Sequence, residues 1–281
     1  MNRLLIIDSG ATKADWSLMQ DGALESEFKT PGIPPFFMSD EEISGQLAVI
    51  AGQTGDTIDG IFFYGTGCKA ESSRKRLHAA FSQAFPSAHT IEVETDVLGA
   101  ARALCGRKPG IACILGTGSN SVWYNGQDVV QNSGGYGYIL GDEGSGAVLG
   151  KELIIAWLNG ELPPDFIPAF DETFGISREV VIERVYRGET PSRYLAGFVP
   201  FLSKNIQSTF VQELLQRQFR LFIRRCVLPY SEAQRLPVHF TGSVAYHFRS
   251  VLEGVLAEAG LQPGLFLAAP MEGLRRFHGD R

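Results

Sequence analysis

The sequence predicts an α/β protein built from two like halves, each opening with a three-stranded unit, and three observations carry that expectation. At 281 residues the chain exceeds the usual size of one domain. The stretch "IIDSGATKADW" (6–16) runs an apolar strand into a glycine turn and a second strand, and "CILGTGSNSVW" (113–123) repeats it, with Gly118 falling 108 residues after Gly10. Each repeat then reaches a second turn signal, Asp21-Gly22 in the first and Asn125-Gly126 in the second, so the second hairpin is four residues shorter.

Taken in order, Leu4–Ile7 reads as a buried strand, and 15–20 and 23–29 as strands joined at Asp21-Gly22, where a type I′ turn needs positive φ. "SDEE" (39–42) is a capping box, with Ser39 as N-cap and Glu42 as its partner, opening a helix to about Gln53. A buried strand at 58–64, an amphipathic helix over "KAESSRKRLHAAFSQAF", a strand at "TIEVET" and a helix at "DVLGAARAL" complete the first half. The second half repeats the opening strands, then carries the glycine-rich loop "SGGYGYILGDEGSG" (133–146), a helix from about Glu143 and a mainly helical middle. It ends with a strand in "LPVHFTGS", a helix over "VAYHFRSVLEGVLAEAG", a strand in "GLFLAAP" and a terminal helix at "MEGLRRF".

Composition narrows the function. A net charge of −6 disfavours a nucleic-acid partner or an acidic membrane surface. The four apolar residues before Asp8 are too few for a signal peptide, and no window nears the roughly 18 apolar residues of a membrane span, so a cytoplasmic protein is expected. The four cysteines show no C-x-x-C spacing and read as free, buried thiols. Backbone N–H groups at tight glycine turns converge on anions. Gly10, Thr12 and Lys13 therefore suit phosphate, and Asp8 suits the metal that accompanies it. No GxxxxGK[ST], no GxGxxG after the first strand and no HRD is present, which sets aside the P-loop, dinucleotide and protein-kinase sites.

Five motifs in order resemble the superfamily of sugar kinases, heat-shock chaperones and actin ATPases. "DSGATKADW" (8–16) resembles its first phosphate motif, "GTGSNS" (116–121) the second, and "FTGSVA" (240–245) the adenosine motif. "TDVLGAARAL" (95–104) resembles the segment bearing the catalytic aspartate, and "GGYGYILGDEGSG" (134–146) the sugar loop. The likeness is nearest to the N-acetylglucosamine kinase branch, which includes activator ATPases of 2-hydroxyacyl-CoA dehydratases and benzoyl-CoA reductases. It implies duplicated ribonuclease H-like (actin-like ATPase) domains with a cleft between them. Their expected bounds are 1–109, joined by the terminal helix 270–281, and 110–269 with a helical insert.

The resemblance further implies ATP and Mg²⁺ as cofactors and an amino sugar, N-acetylglucosamine or a relative, phosphorylated on its 6-hydroxyl; a homodimer is compatible with it. Asp96 would be the catalytic base and touch the sugar, although an aspartate at a strand-to-helix junction also reads as a helix cap. Asp8 would act on Mg²⁺ through water. Gly10, Thr12, Lys13, Gly116, Thr117 and Gly118 would surround the phosphates, while Gly242 and Ser243 would border the adenosine. Lys13 also reads as a solvent-facing hairpin lysine. Asn120, Gly135, Asp142 and Glu143 would hold the sugar, and the two carboxylates also read as caps of the helix expected there. One departure stands out: the branch often has an asparagine in "G-x-N-P", whereas this chain reads "TPGIPPFF", with Pro34 in place of the amide. Two other readings remain open, an iron–sulfur ATPase activator and a non-catalytic sugar sensor on the same scaffold. Cys105 and Cys113 are poorly spaced for a cluster, and no added output domain is evident.

Overall fold

Burial on both faces explains why Leu4–Ile7 is an unbroken apolar run. In the computed structural model, which describes residues 2–55 and 57–279, this run is the middle of β1 (Arg3–Ser9). Met1, Asp56, Asp280 and Arg281 lie outside the described residues. The chain divides into two compact units: Met1–Pro109 with Tyr124–Val129 and Ala269–Arg281, and Gly110–Trp123 with Val130–Ala268.

In the first unit β1 is followed by β2 (Lys13–Gln20), β3 (Ala23–Pro31), α1 (Asp40–Thr54), β4 (Gly60–Gly65), α2 (Glu71–Ala84), β5 (Thr90–Thr95) and α3 (Asp96–Cys105). The sheet order is β3-β2-β1-β4-β5, antiparallel across β1, β2 and β3 and parallel across β1, β4 and β5. Asp21 and Gly22 have φ of 50° and 81°, the pair of positive values a type I′ turn requires. The capping box forms in both directions: Glu42 N donates to Ser39 Oγ, and Ser39 N donates to Glu42 Oε2. Ile43, Leu47 and Ile50 of α1, with Leu77 and Phe81 of α2, pack over Leu5, Ile7, Ile61 and Phe63 on one face of the sheet.

The second unit holds β6 (Gly110–Leu115), β7 (Ser119–Tyr124), β8 (Val129–Gly134), α4 (Gly137–Leu140) and α5 (Gly146–Leu158). Its helical middle comprises α6 (Phe166–Phe174), α7 (Arg178–Arg187), α8 (Pro191–Ala196), α9 (Val199–Lys204) and α10 (Thr209–Phe222), which runs on into a π-helical turn at Ile223–Val227. There follow β9 (Val238–Thr241), α11 (Ser243–His247), α12 (Arg249–Glu258) and β10 (Pro263–Leu267). The sheet order is β10-β9-β6-β7-β8, with β6, β9 and β10 parallel. Last comes α13 (Met271–Gly279), whose Met271 and Leu274 join Ala103 of α3 against Leu4, Ile6, Phe62 and Tyr64. That cluster closes the second face of β1 and β4.

Four local expectations need correction. Asn125 does not take a positive φ; among the described residues only Asp21 and Asp142 do so outside glycine. The second turn is instead held by Asn125 Oδ1, which accepts from the N–H groups of Gln127 and Asp128. The helix expected from Glu143 opens at Gly146, because Ser145 is its cap, accepting from Val148 N. The helix over 244–260 is broken at Phe248, which leaves helical geometry (φ −106°, ψ 23°) as its ring is buried. The glycine-rich loop carries the single turn α4, which its composition does not announce.

The seating of α13 on α3 is testable. A Cβ at Gly273 would lie 2.2 Å from the Ala103 carbonyl oxygen, a backbone atom that cannot rotate away, whereas Gly254 of α12 has open space. Gly273→Ala is expected to cost about 2–3 kcal/mol, and Gly254→Ala to gain about 0.5–1 kcal/mol. Urea denaturation of both variants checks this, and an unaltered Gly273→Ala midpoint would mean that the two helices are not closely packed.

Candidate active site

Parallel strands finish on one edge of a sheet, and in α/β proteins ligands bind beyond those carboxyl ends. In the first unit, Ser9, Gly65 and Thr95 lie level across β1, β4 and β5. This register sets Asp8, Thr66 and Asp96 along one edge. Asp8 is half-buried, and its carboxyl is pushed up to about 7 by burial first, then by the negative charges of Asp15 and Asp96, with Lys13 opposing. Thr95, not Asp96, caps α3, its hydroxyl accepting from Leu98 N at 3.3 Å. Asp96 is therefore not needed as the cap. Its Oδ1 accepts from Val97 N and its Oδ2 from the Thr66 hydroxyl, each at 2.9 Å, which fixes the carboxylate plane.

The adjoining turn is closed by Gly10 N donating to Lys13 O at 2.9 Å. Thr12 and Lys13 are exposed, and Lys13 Nζ sits 3.1 Å from Asp15 Oδ2. Pro34, the departure noted in the sequence, is buried.

In the second unit Gly116 N donates to Gly118 O at 3.0 Å and Thr117 is exposed. The first N–H groups of α5, from Gly146 and Ala147, donate to Gly116 O (2.8 Å) and Thr117 O (3.0 Å), so the helix start is spent on holding this turn. Asp142 packs beneath it: a Cβ at Gly118 would lie 2.9 Å from Asp142 Oδ2. Asp142 and Glu143 are both buried, and neither caps α5. Burial raises the Asp142 carboxyl, against hydrogen bonds from the backbone of Gly137 and Ser119. Asp142 also holds φ at 57°, a strained value for a non-glycine residue. Glu143 forms an ion pair with Arg225. Asn120 Oδ1 accepts from Ser121 N (2.9 Å) and Asn132 Nδ2 (2.6 Å), and a Cβ at Gly135 would lie 2.8 Å from Asn120 Nδ2. Gly242, at φ 115°, lets the start of α11 press on Leu115 O; Ser243 is exposed.

Each unit thus gathers its own share of the residues singled out from the sequence: Asp8, Gly10, Thr12, Lys13 and Asp96 in the first, and the remainder in the second. Three more residues join them. Thr66 was signalled by "YGTG" at the end of a strand. Asn132 and Arg225 carry no sequence signal; Arg225 reaches Glu143 from the π-helical turn, a widening that recurs at functional sites.

The first unit's donors suit a hard cation. Asp8, Asp15 and Asp96 concentrate negative charge with Lys13 as the opposing charge nearest Asp8, and a divalent ion would relieve the pressure that raises the Asp8 carboxyl. Among the described residues no group of three or more His, Cys, Asp or Glu is arranged to hold a metal. Mg²⁺ takes one or two carboxylates and leaves its other positions to phosphate and water, so Asp8 would suffice as its protein carboxylate. All four cysteines are buried and outside disulfides, and burial pushes Cys68, Cys105 and Cys226 up to about 12. No helix of the described residues is long and apolar enough to cross a membrane.

Among solved structures, the putative N-acetylglucosamine kinase of Porphyromonas gingivalis is 43% identical, with 99% of each chain covered and a TM-score of 0.93. The chain belongs to this N-acetylglucosamine kinase-like family. The putative N-acetylglucosamine kinase of Chromobacterium violaceum shares the fold at 21% identity, with 99% of each chain covered and a TM-score of 0.73. So does a ROK-family glucokinase of Streptomyces griseus, solved with glucose and AMPPNP, at 14% identity, 97% coverage of each chain and a TM-score of 0.56. The family member's fold is the duplicated actin-like ATPase α/β fold, and it spans this chain from end to end. No protein-family model and no curated protein matches the chain.

The raised Asp8 carboxyl has a consequence for stability. A carboxyl near 7 in the fold and about 3.9 unfolded contributes stability fully below about pH 4, and that contribution is lost as pH rises through 7. Without nucleotide or metal, Asp8→Asn should therefore stabilise the protein, by about 2 kcal/mol more at pH 8 than at pH 5. Urea unfolding at the two pH values measures this; an equal effect at both would remove charge as the cause.

Proposed function

We propose that the chain is an ATP-dependent amino-sugar kinase that phosphorylates N-acetylglucosamine or a related amino sugar on its 6-hydroxyl. The observation that carries the reading is Asp96: a carboxylate at the edge of a parallel sheet, relieved of capping by Thr95 and oriented by Thr66, beside the electronegative Asp8. The name of the 43% identical relative supports the sugar class, and the AMPPNP in the Streptomyces glucokinase supports the nucleotide. The two halves of the enzyme are taken as 1–109 completed by 270–281, and 110–269.

In this reading Asp96 accepts the proton of the sugar hydroxyl as its oxygen bonds to the γ-phosphorus, and the bond from that phosphorus to the β,γ-bridging oxygen breaks to release ADP. Asp8 would hold Mg²⁺ through water, and the ion would neutralise charge on the β- and γ-phosphates. Both glycine turns serve those phosphates: Gly10, Thr12 and Lys13 in one unit, Gly116, Thr117 and Gly118 in the other. Gly242 and Ser243 border the adenosine. Asn120, Gly135, Asp142 and Glu143 bind the sugar, with Asn132 and Arg225 holding two of those side chains in place.

Two measurements test the assignment. Asp96→Asn keeps the size of the side chain but cannot take the proton, so ADP release with N-acetylglucosamine should fall about 10²–10⁴-fold, with nucleotide affinity and melting temperature near wild type. A fully active variant would overturn the catalytic role. Arg225→Gln leaves Glu143 without its ionic partner. The sugar KM should rise about 10-fold, a loss of about 1.4 kcal/mol, with the ATP KM little moved, and Arg225→Lys should recover part of it; equal effects on both KM values would argue against a positioning role.

A further inference from the structure

Two segments of this protein are held by their main-chain carbonyls. In the first unit Arg76 of α2 donates to the carbonyls of Pro35 and Met38 in the loop between β3 and α1, and Ile33 N, at the foot of that loop, donates to Ser9 Oγ at 2.9 Å. In the second unit the donors are hydroxyls, and the segment is the π-helical turn at Ile223–Val227. The last carbonyls of a helix have no donor within the helix itself. Here Ser133 Oγ of β8 donates to Arg225 O at 3.2 Å, and Ser121 Oγ of β7 donates to Cys226 O. The turn that carries Arg225 is thereby fastened to two adjacent strands.

Tyr230 completes the seam. Its hydroxyl is 2.8 Å from Ser121 Oγ and 2.8 Å from Ser121 O, and Ser121 and Tyr230 are 1% and 2% exposed. Burial pushes the Tyr230 phenol up, so it stays protonated and remains a donor. Ser121 O also accepts from Asn132 Nδ2 at 2.8 Å, and the same nitrogen donates to Asn120 Oδ1. These bonds fix which way two amides face. A main-chain N–H can only donate, so the Asn120 atom facing Ser121 N is its oxygen. The Asn132 atom facing two acceptors, Ser121 O and Asn120 Oδ1, is its nitrogen. Asn120 therefore keeps its oxygen inside the network and offers its Nδ2, beside Gly135, as a fixed donor.

We propose that Tyr230 and Ser121 are positioning residues of the acceptor site: their buried hydroxyl pair sets Asn120 as a hydrogen-bond donor and Arg225 as the partner of Glu143. The proposal rests on the kinase reading, in which Asn120 and Glu143 touch the sugar. Both hydroxyls are buried, so they act through the residues they hold. One path runs from Tyr230 through Ser121 O and Asn132 to Asn120; the other runs through Ser121 Oγ to Cys226 O, next to Arg225. Losing either hydroxyl loosens both sides at once. The glycine turn at 116–118 is held separately, by Gly146 N and Ala147 N of α5, so the effect is confined to the sugar side.

The test measures ADP release with N-acetylglucosamine while sugar and ATP are varied in turn. Tyr230→Phe removes one hydroxyl and keeps the ring; the sugar KM should rise about 5-fold, the worth of one buried hydrogen bond, with the ATP KM held. Ser121→Ala should act in the same way. The double variant should be little worse than the more affected single one, because residues that act as one unit are not additive. Leu252→Ala in α12, a buried apolar site outside the network, is the control: it should lower the melting temperature at least as far and leave the sugar KM in place. A Tyr230→Phe enzyme with both KM values unmoved, whatever its melting temperature, overturns the proposal and leaves the kinase reading standing. A sugar KM that rises as much in Leu252→Ala, or an ATP KM that rises alongside it in Tyr230→Phe, also overturns it. So does a double variant whose loss is the product of the two single losses. Absence of ADP release by wild type with every amino sugar tried overturns both readings.

Discussion

The chemistry of the first unit hangs from β1, and β1 is held by apolar packing on both faces. Leu5 and Ile7 are locked under α1 and α2, Leu4 and Ile6 under α3 and α13. Because side chains alternate along a strand, a slip of one residue would exchange the two faces and dismantle both clusters. Asp8 is therefore carried to the sheet edge by its neighbours' packing, not by any preference of its own. Four such buried side chains are worth roughly 6–12 kcal/mol, more than the few kcal/mol that an ionised carboxyl beside Asp15 and Asp96 costs. The core can tolerate an unfavourable electrostatic arrangement at that edge.

The two units solve the problem of holding polar groups differently. In the first, carboxylates crowd one edge, and the positive charge facing Asp8 is the exposed Lys13. In the second, the buried carboxylates are already satisfied, Asp142 by backbone N–H groups and Glu143 by Arg225. The first arrangement leaves like charges unrelieved, and the second leaves its carboxylates paired.

Much of this was legible in the sequence because it rests on local rules. The doubled strand unit, the Asp21-Gly22 turn, the capping box and the glycine turns are each written in a few adjacent residues. Asp96 was legible too, as a carboxylate at a strand-to-helix junction, but its freedom from capping depends on the competing hydroxyl of Thr95. The same competition hid the start of α5, where Ser145 takes the cap that Glu143 was expected to open. Asn125-Gly126 mimics a two-residue turn, yet its amide builds a wider one by bonding ahead to Gln127 and Asp128. Arg225 and Arg76 were illegible for another reason. Each acts across a large sequence separation, on Glu143 and on the carbonyls of Pro35 and Met38, and neither sits in a pattern that periodicity or spacing can reveal.

The way Arg76 grips its loop bears on how such a protein could diversify. The clamp is made to main-chain carbonyls, and the foot of the loop is held through the Ile33 amide and the absence of a side chain at Gly32. Nothing in that support depends on which side chains stand at 36 and 37. Side chains at those two positions can therefore vary, proline at 37 apart, while the scaffold and the glycine turn beneath stay as they are. Surface variation at this loop and architectural integrity are thereby uncoupled.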